Sequence, residues 1–186
     1  MKVALLSAGP SLQASYGPAV HDHDLTIGVN TAVQFFPCDW WACADRHRFV
    51  EIDKYGVKTI GKKKKLPKLF MIDAQLHDAR CYEANQIDRY DVTGWNDVYE
   101  ATGASKAWAD RTATSALILA KHLGATELDV FGVDMDGHLD CTREITDSTK
   151  YREPTRWLLE RQMWTLIRGW IEARGVKVSI HAPQLV

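Results

Sequence analysis

Apolar residues along this chain fall into short continuous runs, each closed by Gly, Pro, Asn or Asp. Lys2 to Ser7 reads as a buried strand, stopped by Ala8-Gly9-Pro10-Ser11-Leu12. Leu25 to Asn30 and Asp39 to Asp45 read as the second and third strands, with Lys58 to Ile60 and Lys68 to Asp73 as shorter ones. The runs do not alternate apolar with polar, which predicts a sheet covered on both faces. Ala74 to Asp110 has little periodicity and reads as a loop-rich insertion, the pattern of a substrate loop or lid.

Regular spacing returns after Asp110. Thr112 to Leu123 has helical composition and Gly124 stops it; Glu127 to Val133 is then the strongest strand in the chain. Glu153 to Arg174 predicts a long amphipathic helix with Pro154 in its first turn. Its apolar side is expected to carry Leu159, Met163, Leu166 and Trp170, with Trp164, Ile167 and Ile171 beside them. Gly175 ends that helix, and Val176 to Ile180 is a closing strand. Strands alternating with helices predict an α/β fold: one Rossmann-like domain over residues 1–186, its mainly parallel sheet flanked by helices.

Composition narrows the function class. The chain has 186 residues, 46% apolar and 25% charged, as in a globular domain that needs no disulfide or metal staple. Lys and Arg total 23 against 24 Asp and Glu, a net charge of -1. That balance argues against a nucleic-acid partner held by an overall positive field. Lys62 to Lys65 is a basic run that reads as a solvated loop. No apolar run nears the roughly 20 residues of a membrane span, and the N-terminal apolar stretch is short for a signal peptide. A cytoplasmic protein is the expectation, and a homo-oligomer is compatible with it. The four cysteines form no C-x-x-C pair and read as reduced thiols.

Candidate chemistry gathers where the strands end. In open α/β sheets ligands bind beyond the carboxyl ends of the strands. Gly9-Pro10-Ser11 follows the first strand, Asn30 the second, Asp45 the third, and Asp134 with Asp136 the strong late one. A turn of small residues lets backbone N–H groups approach a phosphate, and Ser11 either contacts a ligand or caps the next helix. Asn30 can read a base or ribose with both donor and acceptor. Asp134 and Asp136 are candidate ligands for Mg²⁺ or Mn²⁺ against a diphosphate, or else turn-closing carboxylates. Asp45-Arg46-His47-Arg48 can supply acid, base and phosphate-binding groups, or be an exposed loop. Arg111, Thr114 and Ser115 open a helix and suit an anion, or ordinary capping. His21-Asp22-His23-Asp24 precedes a strand and is expected to face away from this site. Neither G-x-G-x-x-G nor a Walker lysine is present.

In this order the residues carry a resemblance. The first strand with Gly9-Pro10-Ser11-Leu12 resembles the "GxGPSL" start of the bacterial lipooligosaccharide sialyltransferases, which use a CMP-sugar. It equally resembles the family named for the archaeal hydroxymethyldihydropterin pyrophosphokinase, which includes flagellin-modification proteins. Val29-Asn30 is similar to their second-strand end, and Pro37-Cys38-Asp39-Trp40 to Asp45 resembles the "PD…D" segment of the pyrophosphokinase-like group. Thr114-Ser115, Leu123-Gly124-Ala125 and Val130 to Asp134 resemble the late block shared by both. The sialyltransferases carry a histidine base after that strand; here Thr146 to Arg156 holds none, and His138 is the nearest. Tyr151 lies where those enzymes have phosphate-binding tyrosines.

What these readings imply is a nucleotide-dependent transferase, foremost a glycosyltransferase-like enzyme with a nucleotide-sugar donor and a small-molecule or glycan acceptor. Gly9, Pro10, Ser11, Asn30, Arg111, Thr114, Ser115, Asp134 and Tyr151 would hold the nucleotide. Asp45, His47 and His138 are the candidate catalytic residues. A Mg²⁺-dependent pyrophosphokinase acting on a pterin-like alcohol is the alternative, and a non-catalytic nucleotide or nucleotide-sugar binder the third.

Overall fold

A computed structural model describes residues 1–17, 22–43, 68–70, 87–88, 112–135 and 154–181, with the backbone alone at 68–70, 87–88 and 154–156. Among the described residues, seven strands form one sheet: β1 (Lys2–Leu6), β2 (Leu25–Val29), β3 (Trp40–Ala42), β4 (Lys68–Phe70), β5 (Ile87–Asp88), β6 (Glu127–Phe131) and β7 (Lys177–His181). Their spatial order is β5-β4-β3-β2-β1-β6-β7, and every neighbouring pair is parallel. The described helices are α1 (Leu12–Tyr16), α2 (Thr112–His122) and α3 (Pro154–Glu172), with a 3₁₀ turn at Asn30–Gln34. None of these helices is long and apolar enough to cross a membrane.

The expected double coverage of the sheet is present. Val3 and Leu5 of β1 pack on one face with α2 and α3, while Ala4 and Leu6 pack on the other with Leu12, Tyr16, Ala32 and Phe131. All four β1 residues are fully buried, because successive strand residues point to opposite faces and both faces are roofed. Helices α2 and α3 close on Schellman turns at Gly124 (φ +94°) and Gly175 (φ +83°), each with the six-residue N–H to C=O bond, Ala125 to Ala120 and Val176 to Ile171.

Two expectations change, and a third gains a detail. The third strand is shorter than Asp39 to Asp45: Asp39 lies before it, exchanging bonds with Thr26 through both its backbone N–H and its carboxylate. Within the expected loop-rich insertion from Ala74 to Asp110, the two described residues, Ile87–Asp88, add an edge strand to β4. The buried side of α3 is centred on Ile167, with Met163, Trp164 and Ile171, whereas Leu159 and Leu166 are exposed. At about 100° per residue, Leu166 stands a quarter-turn away from Ile167, on the flank of the stripe. The expected strand at Lys58 to Ile60 and the Lys62 to Lys65 run lie outside the described residues.

Among the described residues, a polar cluster is centred on the middle of β6. Asp129 of β6 accepts from His23 Nε2 and His181 Nε2, both at 2.9 Å, and Lys2 Nζ is 3.6 Å away. An ionised carboxylate only accepts, so both rings donate from Nε2. The ring of His181 stacks on Phe131 at 4.6 Å. Burial pushes the Asp129 carboxyl up, but hydrogen bonds from His181 and His23 outweigh it and hold it below the ordinary carboxylate range. A pKa depressed by folding contributes stability that is present above the unfolded value and lost as pH falls through the folded one. Urea unfolding across pH should therefore show wild type more stable than Asp129→Asn at about pH 5, with the gap closing on acidification. A gap that widens towards acid would contradict this role.

Candidate nucleotide site at the β1–β6 switch point

Strand order locates the switch point of the sheet. From β1 the chain steps outward through β2, β3, β4 and β5, then returns to β6 on the other side of β1 before reaching β7. In an open parallel sheet of this strand order, the carboxyl ends of β1 and β6 are the switch point at which a ligand crevice is expected. Helix α2 ends four residues before β6 starts, so its first turn lies at this same edge; α3 before β7 follows the same logic.

Backbone bonds staple the two exits together. Ser7 N–H donates to Phe131 O and Gly9 N–H to Gly132 O, each at 2.8 Å. Ser11 N–H donates to Asp134 Oδ2 at 2.9 Å. A Cβ on Gly9 would overlap both Asp134 Oδ2 and Gly132 O, so the approach admits only glycine. Gly132 has φ +70°, and a Cβ there would sit 2.6 Å from Ser7 O. The Gly9-Pro10-Ser11 turn is thus a fitted part of the seam between β1 and β6.

Among the described residues, two side-chain atoms in this region have no hydrogen-bond partner. Ser11 is 8% exposed and its hydroxyl is buried without a hydrogen bond. Ser11 occupies the cap position of α1, but its side chain makes no capping bond, which removes the capping alternative. Asn30 Oδ1 is likewise buried and unpartnered. Asn30 has φ +49° at the end of β2, and its carbonyl accepts from Trp41 Nε1 at 3.1 Å. The fully buried Trp41 thereby fixes the backbone from which the amide projects. An unmet buried polar group costs about 1–3 kcal/mol, which a ligand supplying the missing bond would recover.

Gly9, Pro10, Ser11, Asn30 and Asp134 all follow the carboxyl ends of β1, β2 and β6. Thr114 and Ser115 lie in the first turns of α2, both buried, at 1% and 2% exposure. Asp45, His47, Arg111, Asp136, His138 and Tyr151 lie outside the described residues. No group of three or more His, Cys, Asp or Glu among the described residues could hold a metal ion. Asp134 is the one described member of the expected metal pair, and its Oδ2 already accepts from Ser11. Sequence reasoning missed Met135 (φ +50°) and Arg161, whose Nη2 donates to Met135 O at 3.2 Å. A non-glycine residue in the left-handed region leaves no signature in sequence, nor does the partner of its carbonyl.

No family model and no curated protein matches the sequence. Among solved structures, the chain is similar to the sialyltransferase CstII from Campylobacter jejuni, determined in complex with the substrate analogue CMP-3FNeuAc. The TM-score is 0.63 at 14% identity, over 98% of this chain and 82% of that one. The likeness is one of fold. It falls on the sialyltransferase side of the sequence resemblance and not on the pyrophosphokinase side.

Gly9→Ala should break the seam. We expect a loss of about 1–3 kcal/mol in denaturant unfolding, the usual cost of overpacking. Faster amide exchange at Ser11 should accompany it. Wild-type stability and exchange in this variant would show that the close approach is not required.

Proposed function

We propose that the chain is a nucleotide-dependent transferase, glycosyltransferase-like, with a nucleotide-sugar donor bound across the carboxyl ends of β1, β2 and β6. The observation that carries this reading is the pair of buried, unpartnered atoms, Ser11 Oγ and Asn30 Oδ1, at the ends of adjacent strands. A hydroxyl both donates and accepts, while an amide oxygen accepts only. Such a pair suits a ligand that offers phosphate or sugar oxygens beside hydroxyl or amine donors, as a nucleotide does. The fold likeness to a protein solved with a CMP-sugar analogue supports the same ligand class.

In this reading Ser11 meets the phosphate side, and Asn30 accepts from a ribose hydroxyl or a base amine. Asp134 braces the turn and presents its remaining oxygen to a ligand hydroxyl. Arg111, Thr114, Ser115 and Tyr151 are the further proposed nucleotide contacts. Asp45, His47 and His138 are proposed for acid–base duty towards a small-molecule or glycan acceptor, where a general base takes the proton of the attacking hydroxyl. Mg²⁺ or Mn²⁺ on Asp134 and Asp136 remains a separate proposal, and no step above passes through it.

Calorimetric titration of CMP, CDP and ATP into the full chain tests the reading. We expect saturable binding of at least one, abolished by Ser11→Trp and weakened about tenfold by Asn30→Ala, the worth of one buried hydrogen bond. Mg²⁺ should tighten CDP more than CMP if the two aspartates hold the cation, since it bridges an added phosphate. Undiminished affinity in a folded Ser11→Trp variant would refute the assignment.

A further inference from the structure

The segment that leaves β6 is held in an unusual backbone path, and Asp134 lies inside it. Gly132 (φ +70°) precedes it by two residues and Met135 (φ +50°) follows it directly. Glycine takes a left-handed conformation freely; methionine does so only where its surroundings compensate for the crowding of Cβ against the backbone. On the β1 side the compensation is visible: Gly132 O accepts from Gly9 N–H, and Asp134 Oδ2 from Ser11 N–H. On the other side, Met135 O accepts from Arg161 Nη2 of α3 at 3.2 Å. Arg161 is exposed and belongs to none of the proposed ligand contacts.

We propose that Arg161 is a positioning residue: by holding the Met135 carbonyl it keeps Met135 left-handed, and so keeps the Asp134 carboxylate on the Ser11 amide at the mouth of the cleft. What that carboxylate is positioned to do rests on the nucleotide-sugar reading; the positioning itself does not. Without the guanidinium, Met135 relaxes towards negative φ. The exit segment then turns, and Asp134 Oδ2 leaves Ser11 N–H. A glycine at 135 takes the same φ without crowding, so it restores the path that Arg161 otherwise enforces.

The test uses the full chain without ligand. Amide exchange at Ser11 is followed by NMR in wild type, Arg161→Met, Met135→Gly and the double variant. Arg161→Met should speed Ser11 exchange about tenfold, the equivalent of the left-handed penalty of a non-glycine residue. Exchange within β1 should stay unchanged, and Met135→Gly added to Arg161→Met should return Ser11 most of the way to wild type. Unchanged Ser11 exchange in Arg161→Met overturns the proposal, as does a double variant that exchanges no more slowly than the single one. CMP titration into the same four proteins then separates the two readings. Affinity that falls and recovers in step with Ser11 protection supports both. Wild type that binds no CMP, CDP or ATP while the exchange pattern holds sinks the nucleotide reading and leaves Arg161 its positioning role.

Discussion

The pairing of β1 with β6 is the constraint on which the rest depends. It joins Lys2–Leu6 to Glu127–Phe131 across most of the chain, and the intervening strands all lie on the far side of β1 from β6. Such a non-local pairing is entropically costly and has to be secured by many cooperating contacts. Here they are the parallel ladder, the full burial of Val3, Ala4, Leu5 and Leu6 between helices on both faces, and the three amide bonds beyond the strand ends. The same pairing therefore sets the switch point at which the ligand cleft is proposed.

The cleft inherits its chemistry from the same seam. The Gly9 approach leaves no space for a side chain, so the turn lies directly on Gly132 and Asp134. That closeness commits one carboxylate oxygen and one amide to each other, while the Ser11 hydroxyl and the Asn30 amide oxygen are buried without partners among the described residues. The proposed site, in which the Ser7, Gly9 and Ser11 N–H groups are already used, would recognise a polar ligand through side chains. It differs in this from a glycine-rich loop that cradles phosphate with bare N–H groups. On the opposite side of the strand end, Trp41 gives Asn30 its support, coupling a core residue to the site.

Much of the fold was legible because its signals are strong and local. Continuous apolar runs gave the strands, and Gly124 and Gly175 ended the helices where left-handed turns are found. Two-residue β5 was not legible: Ile87–Asp88 is too short for any period and exists as a strand only because β4 offers an edge. The packed side of α3 was misplaced by one flank, since its apolar residues span more of the helix than its buried stripe and the neighbour decides which are covered. At the candidate site, Gly9, Ser11, Asn30 and Asp134 were expected after apolar runs, and they do follow β1, β2 and β6. Met135 and Arg161 were not, because a dihedral angle and a carbonyl partner on another element are tertiary facts. The same holds for Asp129, which inside Glu127–Phe131 reads as a strand residue until His23 and His181 converge on it.

The central claim is that a nucleotide lies across the carboxyl ends of β1, β2 and β6. Amide chemical-shift mapping of the full chain during a CMP titration tests it most directly. The account predicts saturable shifts concentrated at Gly9, Ser11, Asn30 and Asp134, with the Asp129 and His181 region silent. Saturable shifts confined to that region, or none at the strand ends, would contradict it.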